Sequence, residues 1–110
     1  MSKIEYANLT ELLLNVLRPR PGIYLGLSHI SKLPNFILGY RFRDEIFQGE
    51  TDFYFGNSGF LQWYEKKYKP KPMSFWHDYF LSVVKNDEFK ALELYFERLE
   101  EYYTWYKSLN

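Results

Sequence analysis

Cysteine is absent from the 110-residue chain, which rules out disulfides and thiolate metal sites. Long apolar runs are missing too. None approaches the roughly 20 residues of a membrane span. The opening stretch MSKIEYANLTELLLNVL carries Glu5 and Glu11 and has no small-residue cleavage site, so it does not read as a signal peptide. The expected location is the cytoplasm. Net charge is zero, which argues against a general nucleic-acid binder, because counterion release needs clustered cations. The chain also lacks any Gly-x-Ser-x-Gly, His-Glu-x-x-His or Gly-rich phosphate loop. His29 and His77 share no ligand spacing, and the adjacent Asp44 and Glu45 would not face each other on a helix. We therefore expect no catalytic residues, no metal, no cofactor and no small-molecule substrate.

What is present is aromatic: 11 Tyr, 10 Phe and 3 Trp. Tyr and Trp suit surfaces that are half apolar and half wet, such as protein interfaces. The neutral total also hides segregation. Residues 1–43 carry +4, residues 44–61 carry −4, residues 62–72 carry +3 and residues 73–110 carry −3. The acidic blocks suit a basic protein partner.

The periodicity predicts an all-α fold for a single domain over 1–110: a bundle of about five helices, with a short β-hairpin or extended segment near 52–56. A first helix is expected over 3–17, opened by a Ser2/Glu5 capping box, with Leu9, Leu12, Leu13 and Val16 on its apolar face. Pro19 and Pro21 stop it. In the phrase LRPRPGIYLG, residues 17–26, Pro and Gly make a corner, and Ile23, Tyr24 and Leu25 are expected to pack under the first helix. Ser28 or Ser31 is expected to cap the next helix, with Pro34 in its first turn and Leu33, Ile37, Tyr40, Asp44 and Phe47 along one face. A third helix follows Asn57 or Ser58, and KKYKPKP (66–72) reads as a basic, semi-extended connector. Ser74 caps a fourth helix. Asn86 or Asp87 opens the last one, whose seam runs Phe89, Leu92, Phe96, Leu99, Tyr103 and Tyr106.

RPGIYLG at 20–26 looks like the R-P-G-M-Y-I-G phrase of the type II topoisomerase ATPase subunit. That enzyme also needs an Asp-x-Gly-x-Gly adenine site and an Asn ahead of its acidic base, and neither is here. A better resemblance takes in most of the chain: RPGIYLG, then LPNFILGY at 33–40, SFWHDYFLSVV at 74–84 and DEFKALELYFERLEEYY at 87–103. This order resembles a group of small bacterial proteins with R-P-x-M-Y-[LI]-G followed by L-x-x-F-[IL]-x-G-Y. That group is similar to the immunity proteins of contact-dependent growth inhibition and polymorphic toxin systems. Ile23 stands where the group has Met, and Phe75 where a Gly or Ser precedes Trp76. The resemblance implies an inhibitor that binds and neutralises the toxic C-terminal domain delivered by a sibling cell, and many such domains are nucleases.

On the last helix Glu93, Glu97 and Glu101 flank the apolar seam, with Tyr95 and Tyr102 expected to stand exposed beside them. These five, together with the acidic cluster Asp44, Glu45, Glu50 and Asp52, are the candidate partner-binding residues. Two other readings stand beside this one. A nucleic-acid-associated accessory or regulatory protein would use Arg41, Arg43 and the 64–71 stretch. A small enzyme would show His29 or His77 in a pocket with a carboxylate.

Overall fold

A computed structural model of the chain describes residues 9–39, 59–69 and 76–109. Within them the fold is all-α, with no strand. The Ser2/Glu5 capping box and the expected start of the first helix at residue 3, the hairpin expected near 52–56, the Asn57, Ser58 and Ser74 caps, and the positions 40, 44 and 47 of the second helical face lie outside the described residues.

Within the described residues the first helix, α1, is α-helical over Leu9–Glu11 and continues as a π-helix over Leu12–Leu17. The Arg18 amide donates to Leu13 O at 2.9 Å, a bond spanning five residues. Of the expected face Leu13 is buried, as are Thr10 and Leu17 beside it on the same side of the helix, whereas Leu12 and Val16 are only half-buried. Pro19 ends the helix, because it has no amide to continue the ladder.

The Pro/Gly phrase is itself helical. Pro21–Leu25 forms a one-turn helix, α2, with proline at its first position, where a missing amide costs nothing. Gly26 closes it at φ 84°, its amide donating to Gly22 O at 3.0 Å. Ile23 and Tyr24 do not pack under α1: they are 69% and 41% exposed, and only Leu25 reaches the core. A helix this short has one inward face, and Leu25 takes it. A Cβ at Gly26 would meet no atom within 4 Å, so Gly26→Ala probes backbone strain alone. We expect it to cost about 1 kcal/mol, read as a lowered urea midpoint with an unchanged slope.

A 3-10 turn at Ile30–Lys32 runs into α3, residues 33–39. Ile30, Leu33 and Ile37 form its buried face. Neither Ser28 nor Ser31 caps this start with its side chain. Instead the Ser31 amide donates to Glu88 Oε1, 3.0 Å away at the head of the last helix, so a carboxylate from a distant element does the capping.

The fourth helix, α4, covers Gly59–Tyr68. Lys66, Lys67 and Tyr68 are thus helical, and the basic stretch is not an extended connector at these positions. The fifth, α5, covers Trp76–Val83. It leaves through Lys85 and Asn86, both left-handed at φ 56° and 65°, with the Asn86 amide bonded to Leu81 O at 2.7 Å. Asparagine tolerates this region well. Asp87 then caps α6, its carboxylate accepting from the Lys90 amide at 3.0 Å, as its sequence position implies.

The 21-residue α6, Glu88–Ser108, is the axis of the molecule. It meets α1, the 3-10 turn, α4 and α5. Being covered from two sides, it buries a broad arc of Ala91, Leu92, Tyr95, Phe96, Leu99, Tyr102 and Tyr103 rather than one seam. Tyr95 and Tyr102 face the rings of α4 and α5. Tyr95 lies 5.1 Å from Trp76 and 5.6 Å from Phe80, and Tyr102 stacks on Phe60 at 5.1 Å. On the other side, the Tyr103 hydroxyl donates to Glu11 of α1 at 2.8 Å.

Candidate functional site

The RPRPG phrase and the acidic flank of α6 meet. They enclose an open cleft of about 260 Å³. Arg18, Pro19 and Pro21 form one wall, Glu93 and Glu97 the other, and the buried Leu92 and Phe96 lie at its base. Phe89, in the first turn of α6, is 50% exposed at the edge, so the ring expected at the head of the core seam is instead half in solvent. Exposed Ile23 of α2 and exposed Leu27 after it lie between Pro21 and Ser28, both of which line the cleft.

The charges on the two walls differ in availability. Arg18 donates to Glu100 Oε2 at 2.8 Å, so its charge is already partnered. Glu93 and Glu97 are exposed, and among the described residues neither is ion-paired. They are four residues apart on one helix and so project on one face. The cleft therefore combines an apolar base with unspent negative charge.

Glu101 sits elsewhere, in a polar and aromatic cluster between α4 and α6. It accepts from the Tyr68 hydroxyl at 2.8 Å (Oε1) and 2.6 Å (Oε2) and is ion-paired with Lys67. The Arg98 guanidinium lies 4.5 Å over the Tyr68 ring, and Lys67 lies over Trp63 at 5.3 Å. Partial burial works to raise the Glu101 pKa, but the hydrogen bonds from Lys67 and Tyr68 outweigh it and hold the carboxyl below its usual range. In the same cluster, burial and a 2.9 Å bond to Tyr79 push the Tyr64 hydroxyl well above the usual tyrosine range.

A carboxyl lowered in the folded state contributes stability that is complete above its unfolded pKa and is lost as pH falls through the folded value. Glu101→Gln is accordingly expected to cost about 1–2 kcal/mol at pH 7. The gap to wild type should narrow as unfolding is followed into the acid range. A gap independent of pH would assign the loss to packing.

The remaining candidates divide sharply. Tyr95 and Tyr102 are 0% and 2% exposed. They are core rings and cannot form a docking surface, because α4 and α5 cover the side of α6 on which they lie. Asp44, Glu45, Glu50, Asp52, Arg41 and Arg43 lie outside the described residues. Lys67 of the basic stretch is taken up by Glu101. His77 Nε2 approaches the adjacent Asp78 at 3.5 Å, so these neighbours turn toward each other more than an ideal helix would have them. Among the described residues no group of three or more His, Asp or Glu is placed to hold a metal ion, and no helix is long and apolar enough to cross a membrane.

The wall of Arg18, Pro19 and Pro21 is the part that sequence reasoning missed. Its signal was present in the density of Pro and Arg after the first helix, but that pattern is shared by any helix-ending corner. Compared with family models, curated proteins and solved structures, the chain has no match in any of the three.

Proposed function

We propose that this chain is a cytoplasmic inhibitor protein that binds a cognate bacterial toxin domain, of the nuclease kind, and neutralises it by stoichiometric occlusion without catalysis. The observation that supports this reading most is the cleft, where an exposed apolar side chain adjoins two carboxylates that form no ion pair among the described residues. Core-apolar, rim-charged surfaces suit protein docking. A nuclease presents the basic ground that guides phosphates, and complementary charge also speeds encounter. The resemblance of RPGIYLG and the segments that follow it to toxin-immunity proteins points the same way.

The test is capture of the tagged protein from its own cells, followed by titration of whatever it retains. One stoichiometric partner carrying a basic toxin domain is expected. Glu93→Lys with Glu97→Lys should leave stability within about 0.5 kcal/mol, as both are surface sites. It should weaken that complex about 100-fold, roughly 2.7 kcal/mol, by setting like charges against each other. Recovery of nucleic acid with salt-dependent affinity would sink the inhibitor reading in favour of an accessory nucleic-acid protein.

A further inference from the structure

The cleft is specific about what it can hold. Glu93 and Glu97 are one turn apart on α6, about 6 Å along the axis. In an extended chain, residues i and i+2 lie on one side, about 6.6 Å apart. The two repeats match closely enough that an extended segment lying along α6 sets every second side chain opposite a carboxylate. The residue between them points the other way, toward the wall of Pro19 and Pro21. Of the residues lining that wall, Arg18 is the one charged side chain, and it is bound to Glu100; the exposed Arg20 lies between the two prolines outside the lining. The open volume of about 260 Å³ has room for a branched aliphatic or aromatic side chain.

We infer that the cleft takes an extended segment of the partner with the alternation basic–apolar–basic. The two cations pair with Glu93 and Glu97, and the apolar side chain seats against Pro19 and Pro21 beside the Phe89 ring. This rests on the inhibitor reading for its partner, but the site stands on the cleft's own geometry. The charge pattern selects the occupant. An acidic segment would meet two carboxylates, and a wholly apolar one would leave both desolvated and unpaired.

The alternation is testable with three capped pentapeptides of similar size: Gly-Lys-Leu-Lys-Gly, Gly-Leu-Lys-Lys-Gly and Gly-Glu-Leu-Glu-Gly. Each is titrated into the isotope-labelled full chain while backbone amide shifts are followed. The first peptide should bind in the millimolar range and move amides in 18–28 and 89–97. The second, with the same composition but no alternation, should bind several-fold more weakly, and the acidic peptide not at all. Glu93→Gln with Glu97→Gln should abolish the preference for the first peptide. Equal binding of the two lysine peptides, shifts mapping outside the cleft, or no binding of the first peptide would overturn the assignment. So would self-association of the chain that the double substitution removes, since the cleft would then belong to a second copy. If a toxin partner is captured and binds the Gln variant as tightly as wild type, the cleft assignment falls while the inhibitor reading stands. If the peptides behave as expected but no such partner is found, the inhibitor reading is the one that fails.

Discussion

Replacing Tyr95 by Ala is expected to destabilise the protein by about 3–5 kcal/mol. The ring is fully buried and sits where three helices converge. Phe60 of α4 is 6.2 Å away, Trp76 and Phe80 of α5 are at 5.1 and 5.6 Å, and Phe96 follows on α6 itself at 5.7 Å. Edge-on and tilted contacts of this kind add to the area term. Rings of this rigidity cannot collapse into the space a missing one leaves, so the cavity cost stays near the upper end. A domain of this size has about 5–15 kcal/mol of total stability, so the variant should lose a large part of its urea midpoint. Tyr95→Leu, which keeps apolar volume, should lose much less. An Ala variant within 1 kcal/mol of wild type would contradict the position of Tyr95 at the α4–α5–α6 junction.

Leu17→Ala should cost about 2–5 kcal/mol, and Leu13→Ala a similar amount. Both side chains are essentially inaccessible, at 1% and 0%. Among the described residues, α1 is also joined to α6 by the part-buried Tyr103–Glu11 bond and the exposed Arg18–Glu100 pair. Exposed ion pairs contribute at most about 1 kcal/mol, so the leucines carry the docking. Lying one turn apart on one face, they share neighbours, and the double variant should depart from the sum of the singles by 0.5 kcal/mol or more. The contrast is Val16→Ala, one position away and only half-buried, which should cost clearly less than either leucine. If Val16→Ala proved the more damaging, Leu13 and Leu17 would not be the side chains that dock α1.

Much of the candidate site was legible along the chain, but only in pieces. Glu93 and Glu97 could be placed on one face of the last helix from their spacing, and both are exposed there. Glu101 has the same spacing and a different fate, because Lys67 and Tyr68 arrive from another helix to engage it. Tyr95 and Tyr102 went the other way. One-dimensional periodicity finds the centre of a buried stripe but not its width, which depends on how many neighbours pack around the helix.

The local physics of the residues was enough for the all-α class, the absence of disulfides, the start of α6 at Asn86 or Asp87, the break after α1 at Pro19 and the glycine turn at Gly26. Each depends on groups within a few residues of one another: a carboxylate facing free amides, a missing amide, a permitted φ. Assembly alone settled the π-helical register of α1, the capping of Ser31 by Glu88, the burial of Tyr95 and Tyr102, and the cleft between the Pro/Arg corner and the carboxylates of α6. The capping and the cleft join positions about 60 to 80 residues apart, and the burial of Tyr95 and Tyr102 joins positions about 15 to 40 apart. Side chains so distant in sequence acquire a common environment only when hydrophobic burial brings their helices together, and no pattern within either segment records which neighbour will arrive.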